Sequence, residues 1–433
     1  MSKLNITYRN INDLKPSAGN PRTHSKKQLK QLQRSIKEFG FINPVLVDAS
    51  DRIVAGHGRI QAAKAAGLTE VPTVSVVHLT ATQAKAYLIA DNKLALNAGW
   101  DDELLKLELE ELSFNLDFDL TLTGFDTPEL DFIFAKPEVK EEGAAAADRS
   151  EPSVSRSGDL WRIGDHLVLC GDSTSEDAYR TVMGNETAGL VFTDPPYNVP
   201  VAGHVSGLGK ATHPEFAMAS GEMTEAEFTA FLRTVFQHLA AFSGDGSLHY
   251  ICMDWRHMWE TLSAGREIYT DLKNMCVWAK TNGGMGNLYR SRHELVFVYK
   301  NGTKPHVNNV ELGKHGRNRT NVWDYAGTNA FGASRDADLA MHPTVKPVQL
   351  VADAIQDASN RGDIVLDAFG GSGTTLVAAE QTGRRGRAIE IDPYYVDTIV
   401  QRLEKATKQK AILVNGGDSF EGIKAWRRSG IEI

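Results

Sequence analysis

The second part of the chain alternates short apolar segments with helical patterns, and this alternation limits the fold more than any other feature. The apolar segments are continuous, so a strand made from one of them would be buried on both faces. Strands of this kind, separated by helices, are typical of a largely parallel sheet covered by helices on both sides. The predicted strands are 166–170, 189–193, 247–253, 274–280, 293–300, 363–369 and 387–391, and the predicted helices are 225–241, 347–359, 374–382 and 393–405.

The first 110 residues mix strand and helix patterns. Apolar residues at spacings of three and four predict a helix over 25–39. Short apolar runs at 44–48 and 53–56 predict a hairpin that turns at Asp51-Arg52. Three further helices are predicted, at 61–66, 81–97 and 101–112. This composition indicates a separate, small α+β domain.

Charge and composition divide the chain between these two parts. Residues 1–50 carry nine basic and three acidic side chains, whereas residues 101–160 carry five basic and seventeen acidic ones. Apolar periodicity stops between 135 and 157, where Ala, Glu, Ser and Pro take over. Such a stretch buries too little apolar surface to offset its ordering entropy, so we expect a flexible linker at 135–157 between domains at 1–134 and 158–433. With a net charge of −8, any nucleic-acid binding depends on local basic surfaces.

Several classes of protein are not supported by the sequence. The N-terminus has no apolar signal-peptide core, and no apolar stretch approaches the length of a membrane span. The cysteines at 170, 252 and 276 are far apart and form no CxxC pair. The thirteen histidines include no HExxH motif. We therefore expect a cytoplasmic protein with buried free thiols and no metal site.

The first chemical motif is Asp194-Pro195-Pro196-Tyr197, directly after the predicted strand at 189–193. Two consecutive prolines cannot continue a strand ladder, so the motif forms a rigid turn at the strand end. The turn offers a carboxylate, a backbone carbonyl and an aromatic ring. These groups suit an exocyclic amine on a planar ring, which would donate two N–H bonds while the ring stacks on the tyrosine. The same residues also suit a plain turn, with the tyrosine as a core side chain.

The second motif is the run LDAFGGSGTT at 366–375, where a strand passes through glycines into a helix. Glycines at a helix N-terminus let the backbone approach a ligand closely. Asp367 and Phe369 offer an anion for an ammonium group and a ring for an adenine face. Glu390 ends the next strand, where acidic residues of nucleotide sites bind ribose hydroxyls. A tight strand-to-helix turn with no ligand is the alternative.

Together the two motifs resemble the DNA amino-methyltransferases that use S-adenosyl-L-methionine, and their order resembles that of the β class. The resemblance covers about residues 158–410 and includes Trp278-Ala279-Lys280, the strand at 293–299 and the segment HPTVKP at 342–347. It implies a Rossmann-like seven-stranded methyltransferase sheet with the central order 3-2-1-4-5-7-6. The motif order is permuted, because the proline-containing turn precedes the glycine-rich turn.

The resemblance also implies roles for individual residues. Asp194, Pro195, Pro196 and Tyr197 would hold a base flipped out of duplex DNA, and its amine would attack the donor methyl without a covalent enzyme intermediate. A motif that begins with Asp rather than Ser favours the N6 amine of adenine, and cytosine N4 is the alternative. Enzymes of this kind occur in bacterial and phage restriction-modification. The residues that would bind the donor are Asp172, Lys346, Asp367, Phe369, Gly371, Ser372, Gly373, Thr374 and Glu390.

Recognition of a DNA sequence needs contacts beyond the target base. The β class keeps its target-recognition segment in the interval that corresponds to about 301–341 here. This interval mixes basic residues with Asn, His and aromatic residues, which suits phosphate and base-edge contacts, although a solvated loop has a similar composition. The resemblance further implies double-stranded DNA as partner and a homodimer as a common assembly. The expected DNA contacts are Arg290, Arg292, Lys314, Arg317 and Arg319.

Residues 1–110 resemble the N-terminal domain of ParB-type chromosome-partitioning proteins. The resemblance lies in NPRTH at 20–24, AGHGR at 55–59 and VPTVSVV at 71–77. It implies a DNA-binding domain with a phosphate or nucleotide turn at Gly56, Gly58 and Arg59. Members that bind CTP typically carry two consecutive arginines, whereas Ile60 follows Arg59 here, which does not favour CTP binding. A helix-capping turn is the alternative.

Two competing functions follow from the same residues. A non-catalytic ParB-like DNA-binding or regulatory protein could use the methyltransferase domain as a scaffold only. Protein-glutamine methyltransferases are similar in sequence but have Asn at the position of Asp194. The intact Asp194 turn and glycine-rich run favour the DNA methyltransferase.

Overall fold

The chain divides into two compact units, Met1–Phe134 and Ala135–Ile433. The computed structural model describes residues 4–113, 118–135, 149, 151–199, 221–281, 288–310, 319–326 and 346–429. Over these ranges no helix combines the length and the apolar character that crossing a membrane requires.

The first unit is a small α+β domain. Within its described residues a sheet has the order β1-β4-β2-β3, in which β2 and β4 are parallel and the outer pairs are antiparallel. One core, which includes Val45, Val47 and Val71, packs the sheet against α1 and α2, and a second joins Leu109 to Leu130. The elements are β1 Ile6–Asn10, α1 Lys26–Phe39, β2 Val45–Val47, β3 Ile53–Ala55, α2 His57–Ala65, β4 Glu70–Ser75, α3 Ala81–Ala95, α4 Asp102–Ser113, a 3₁₀ turn Leu120–Thr123 and α5 Thr127–Ile133.

The predicted hairpin is present as β2 and β3, with Asp51 in the left-handed region at φ 60°. The helix predicted at 61–66 begins four residues earlier, at His57. The sequence predicts a turn between a strand and a helix at Gly56 and Gly58; in the structure Gly56 is the N-cap of α2, and Gly58 lies in the first turn of that helix. A Cβ at Gly58 would lie 2.8 Å from a ring carbon of His24, so close packing explains this helical glycine.

The second unit is built on one large mixed sheet. Its strands are β5 Leu160–Ile163, β6 His166–Cys170, β7 Ala188–Thr193, β8 Ser243–Met253, β9 Asp271–Ala279, β10 His293–Lys300, β11 Val322–Asp324, β12 Ile364–Asp367, β13 Arg385–Glu390 and β14 Ile412–Leu413. Its helices are α6 Glu176–Met183, α7 Glu225–Ala241, α8 Met258–Ile268, α9 Val348–Ala358, α10 Thr374–Gln381, α11 Pro393–Thr407 and α12 Phe420–Arg428, with a 3₁₀ turn at Trp255–His257.

The strand order confirms the expected Rossmann-like topology. The described strands lie in the order β11-β9-β10-β8-β7-β12-β13-β6-β5-β14. Strands β6, β13, β12, β7 and β8 are parallel, and β10 is inserted antiparallel between β8 and β9. The seven strands from β6 to β9 therefore match the order 3-2-1-4-5-7-6, with β12 as strand 1 and β7 as strand 4. The carboxyl ends of β7 and β12 meet at one edge of the sheet.

Helices cover both faces of this sheet. Side chains of β7 alternate between the faces: Leu190 and Phe192 pack with α9, whereas Val191 packs with α6, α7 and α8. A third cluster lies between β5, β6, α10, α11 and α12. Double-sided burial explains why the sequences of the central strands are continuously apolar. The three cysteines are free and buried in these layers.

The linker expected at 135–157 is too long at its C-terminal end. The backbone N–H groups of Val154 and Ser155 donate to the Asp397 carboxylate on α11, at 2.6 and 2.8 Å. Val154 is buried, and Trp161 donates to Ser155 Oγ at 3.0 Å. Residues 153–155 are therefore part of the second unit, because a buried carboxylate organises their backbone. The rest of the expected linker lies mostly outside the described residues.

Candidate active site

The two chemical motifs lie side by side because their strands are neighbours. Val365 and Leu366 of β12 pair with Leu190 and Val191 of β7. At the ends of these strands the hydroxyl of Thr193 donates to Asp367 Oδ1 at 2.7 Å. This buried bond joins the residue before the proline-containing turn to the first residue of the glycine-rich turn.

The proline-containing turn holds Asp194 and Tyr197 in contact. The Tyr197 hydroxyl donates to Asp194 Oδ1 at 2.6 Å, and Pro195 between them is buried. Asn198 follows in the left-handed region, at φ 52°, and its side chain is buried. Its amide bonds the backbone of Gly221 and Met223, which fixes the chain where the turn ends. The carboxylate is thereby held at the carboxyl edge of the sheet.

A buried lysine bridges Asp194 to a second carboxylate. Lys346 Nζ lies 2.5 Å from Asp194 Oδ2 and 2.9 Å from Glu294 Oε2, and Lys346 is only 5% exposed. Lys280 also pairs with Glu294 and lies over the Trp278 ring, 4.6 Å from its centroid. Glu294 is the second residue of β10, and Lys280 directly follows β9. Two strands and the segment before α9 thus contribute to one charged cluster.

Opposite charges set the ionisation of this cluster. Burial raises the pKa of Asp194, an effect that Lys346 opposes and Glu294 reinforces. Burial would also raise the pKa of Glu294, but Lys346 and Lys280 lower it to about 2. Burial and the neighbouring carboxylates raise the pKa of Tyr197 well above its ordinary value. The cluster therefore contains an ionised glutamate, a neutral tyrosine and an aspartate whose charge depends on its cation.

Asp367 is a buried carboxylate held by hydroxyl and backbone donors. Besides Thr193, the Thr375 hydroxyl donates to Oδ2 at 2.6 Å and the Phe369 N–H donates to Oδ1 at 3.0 Å. Burial raises the pKa of Asp367 to about 7, because these donors offset only part of the desolvation. A cationic ligand group would stabilise its ionised form.

Glu390 closes the glycine-rich turn from the next strand. Its two carboxylate oxygens accept the N–H groups of Gly371, at 2.8 Å, and Asp392, at 2.9 Å. Burial raises the pKa of Glu390 to about 7. Gly371 and Gly373 have φ values of 52° and 84°, which favour glycine. The two buried carboxylates beside a helix N-terminus fit the ammonium and ribose hydroxyls of the donor that the resemblance implies.

The other expected donor-binding residues lie around this turn. Asp172 follows β6 and accepts bonds from the Thr174 N–H and hydroxyl, both at 2.8 Å. Phe369 packs near Phe231, with ring centroids 6.0 Å apart. Ser372 and Thr374 are buried, and Arg402 of α11 donates to the Ser372 carbonyl at 2.6 Å. Lys346 differs from the others because it contacts Asp194 rather than the glycine-rich turn.

The expected DNA contacts are only partly described. Arg290 and Arg292 are exposed in the segment before β10, next to the exposed Tyr289. Arg319 is half-buried, and its guanidinium pairs with Asp357 at 3.0 Å and Asp353 at 3.4 Å. Those bonds tie Arg319 to α9. Lys314, Arg317 and most of the interval 301–341 lie outside the described residues.

The turn in the first unit places an arginine at the start of α2. Gly56 is the left-handed N-cap, at φ 103°, and the Arg59 guanidinium folds back beside it, 3.2 Å from where a Cβ would stand. Burial lowers the pKa of Arg59, and burial together with His24 lowers the pKa of His57.

Sequence reasoning missed Glu294, Thr193 and Thr375 as site residues. Glu294 could have been found, because a charged residue in the apolar strand HELVFVYK needs a partner once it is buried. The two threonines gave no such signal, since their roles depend on β7 and β12 being neighbours. Among the described residues, no group of three or more His, Cys, Asp or Glu side chains could hold a metal ion.

Three family models match the chain. The DNA methylase model matches residues 188–401, which contain both turns. The ParB N-terminal domain model matches residues 1–92, and the ParB-methyltransferase HTH domain model matches residues 103–157. The last match extends across the interval that we expected to be a linker.

Curated relatives also match parts of the chain. The ParB-like nuclease domain-containing protein YnaK of Escherichia coli (strain K12) is 48% identical over 81 residues, which are 19% of this chain and 93% of YnaK. Type II methyltransferase M.HpaI of Haemophilus parainfluenzae is 25% identical over 273 residues, which are 59% of this chain and 78% of M.HpaI.

Two solved structures are also similar to part of this chain. The M1.HpyAVI-SAM complex is 20% identical, with a TM-score of 0.41, and the alignment covers 55% of this chain and 98% of that one. PvuII DNA methyltransferase (cytosine-N4-specific) is 14% identical, with a TM-score of 0.42, and the alignment covers 64% of this chain and 93% of that one.

Proposed function

Because residues 188–401 belong to the DNA methylase family and residues 1–92 are a ParB N-terminal domain, we propose that this chain methylates the N6 amine of adenine in DNA. The methyl donor is S-adenosyl-L-methionine, and the adenine is flipped out of a specific double-stranded site. The observation that carries the proposal is the bond between Thr193 and Asp367 at 2.7 Å. It holds an amine-binding turn and a donor-binding turn at the same point of the sheet.

Asp194 and the turn around it act on the amine. The carboxylate and the Pro195 carbonyl accept its two N–H bonds, so the nitrogen lone pair faces the donor. Tyr197 donates to Asp194 and offers its ring to the flipped base. As the nitrogen–methyl bond forms and the sulfur–methyl bond breaks, the sulfur keeps the electron pair and Asp194 accepts the proton that the amine loses.

The glycine-rich turn holds the donor. When bound, S-adenosyl-L-methionine supplies a methyl group made electrophilic by a sulfonium. Asp367 binds the ammonium group and Glu390 binds the ribose hydroxyls, since both carboxylates lie at the edge where β12 and β13 end. Gly371 and Gly373 allow close approach of the backbone. Asp172, Phe369, Ser372 and Thr374 complete the wall of the site.

Exposed arginines and the first unit contribute the affinity for DNA. Arg290 and Arg292 contact phosphates beside the flipped base, because they lie on the loop that leads into Glu294 and β10. In the first unit, Arg59 and the N-terminus of α2 bind a phosphate, and DNA is the source that fits the basic residues 1–50.

The first test is methyl transfer. Purified protein is incubated with methyl-labelled S-adenosyl-L-methionine and unmethylated genomic DNA, and the labelled nucleoside is identified after digestion. We expect N6-methyladenine, and a loss of at least about a hundredfold in Asp194→Ala, because its amine acceptor and proton acceptor are gone. Asp271→Ala, which removes a carboxylate from the half-exposed end of β9, serves as the matched control.

Other outcomes have definite meanings. Label in N4-methylcytosine would keep the mechanism and the site and correct the base. Binding of the donor without transfer to any DNA would contradict the proposal and favour a DNA-binding or regulatory protein. Label in protein rather than DNA would favour a protein methyltransferase.

A further inference from the structure

Lys346 lies on the base side of the site, although its sequence context indicates the donor side. Its ammonium contacts Asp194 Oδ2 at 2.5 Å and Glu294 Oε2 at 2.9 Å. It also donates to the Tyr197 hydroxyl at 3.2 Å and lies 5.5 Å from the centroid of the Tyr197 ring. The residues that it contacts are thus those proposed to hold the base.

The bridge by Lys346 compensates two carboxylates that face each other. Asp194 and Glu294 share one ammonium, and the Tyr197 hydroxyl lies 2.6 Å from the first and 3.2 Å from the second. Two carboxylates this close cannot both ionise readily without a cation between them. Lys280 supplies a second cation, but it contacts Glu294. Of the two, Lys346 is therefore the cation that contacts Asp194.

The remaining groups near Asp194 do not replace that cation. The titratable and charged groups that act on Asp194, Lys346 or Glu294 across the cluster are Tyr197, Cys252, Lys280 and Asp367. The Tyr197 hydroxyl and the Cys252 thiol are neutral at pH 7, since burial raises the pKa of both groups. Asp367 adds negative charge when it ionises.

We propose that Lys346 is a positioning residue that keeps Asp194 ionised and oriented as the acceptor for the target amine, while Glu294 holds the lysine in place. The inference rests on the proposed function. Tyr197 binds one oxygen of Asp194 and Lys346 binds the other, and each oxygen retains a lone pair for an N–H of the amine. A protonated Asp194 would lose one of these acceptors and could not take up the proton.

The test is the pH profile of Lys346→Met. Removal of Lys346 leaves Asp194 without a contacting ammonium and beside the negative charge of Glu294, which keeps Lys280 as its partner, so a more alkaline solution is needed to ionise Asp194. We expect the acid limb of kcat/KM for DNA to move up by about one pH unit or more, so that within the limb the variant is about tenfold less active than the wild type, and the two profiles converge at alkaline pH. Affinity for the donor, measured by calorimetry, should change less than about threefold.

Compensating variants separate charge from structure. Glu294→Gln added to Lys346→Met removes the negative charge beside Asp194 and should return the acid limb toward that of the wild type. Lys346→Arg keeps the charge and should retain the wild-type limb with a lower kcat. Lys273→Met, which removes a lysine on β9 paired with Asp271, controls for loss of a positive charge elsewhere.

Each result bears on the inference. An unchanged limb with a weaker donor affinity would overturn it and return Lys346 to the donor site. If Lys346→Met does not fold, a wild-type limb in Lys346→Arg together with a normal limb in the folded double variant supports the inference, and a shifted limb in the double variant contradicts it. Failure of the proposed function is distinct, because the wild type would then transfer no methyl group to DNA at any pH.

Discussion

The ionisation of Asp367 affects both the stability of the fold and the binding of a cationic ligand. Burial raises its pKa from 3.8 to about 7, so the protonated carboxyl favours the folded state. This contribution to the free energy of unfolding is complete below the ordinary pKa and is lost as the pH rises through about 7. A bound ammonium group would compensate the charge that destabilises the free protein at higher pH.

The variant Asp367→Asn tests this link. Between pH 5.5 and pH 8 the wild type should lose up to about 2 kcal/mol of unfolding free energy that the variant does not lose, because the amide cannot ionise. Urea unfolding without donor, at both pH values, measures the difference. The same variant should bind S-adenosyl-L-methionine more weakly. An identical pH dependence in wild type and variant would contradict the interpretation, with Asp271→Asn as the control for an exposed carboxylate.

The contributions of single residues were predictable where a motif is local. Asp194 and Tyr197 lie three residues apart, so their contact follows from one rigid turn and could be read from the sequence. Lys346 is 152 positions from Asp194, and Glu294 is 97 from Tyr197. Which carboxylate a distant lysine meets depends on strand order and on where a helix begins. No local pattern contains that information, and the prediction that Lys346 binds the donor depends on the resemblance of the segment 342–347 to the family motif.

At the level of elements, Asn198 connects the end of the proline-containing turn to the segment just before α7. Its amide nitrogen donates to the Met223 carbonyl at 2.8 Å, and its oxygen accepts from the Gly221 N–H at 3.0 Å and the Met223 N–H at 3.2 Å. The left-handed φ of 52° suits asparagine better than most residues. One side chain therefore sets both the direction of the chain after Tyr197 and the entry to the helix.

Substitutions at Asn198 separate these two effects. Asn198→Ala should lower the free energy of unfolding by about 2–4 kcal/mol, because it loses three hydrogen bonds and strains the backbone. Asn198→Gly loses the same bonds but tolerates the left-handed backbone, so it should be more stable than the alanine variant by about 1 kcal/mol. Urea unfolding of both variants gives the comparison. Equal stabilities would show that backbone strain is negligible there.

The elements themselves were largely predictable, and the exceptions are of two kinds. The predicted helix at 225–241 has the observed bounds, since Thr224 and Glu227 form a capping box and the helix buries a continuous apolar stripe. Strands β1, β5 and β14, which lie at or next to a sheet edge, were not predicted, because short or half-exposed strands lack the continuous apolar run of a central strand. The early start of α2 was missed because glycines ordinarily disfavour helix. The His24 ring packs where a Cβ of residue 58 would lie, and this tertiary contact cannot be read from the local sequence.

At the level of the whole molecule, each unit has its own hydrophobic core. Val45, Val71 and Leu130 belong to clusters within residues 1–134, whereas the sheet clusters belong to the second unit. Arg149 also pairs with Asp392 at 2.8 Å, within the second unit. Because each of these hydrophobic clusters consists of residues from one unit, we expect the two units to fold independently.

Separate fragments test this independence. We expect residues 1–135 and 149–433 each to fold cooperatively, and the second fragment to retain donor binding and methyl transfer. The first fragment should bind DNA in a salt-dependent manner, and Arg59→Ala should lower the slope of log K against log salt by about one. Circular dichroism melts and a salt series measure these properties. An unfolded 149–433 fragment would mean that its core needs the first unit.

The sheet order has a consequence for the chain as the ribosome makes it. Strand β7 and its turn emerge early, but the neighbouring β12, which carries Asp367, is synthesised only about 170 residues later. Lys346 also follows Asp194 at a distance. A nascent or prematurely terminated chain thus contains the residues that would hold a base, but neither the strand beside them nor the donor turn. We therefore expect a chain truncated before β12 to transfer no methyl group, because the proposed reaction needs both turns.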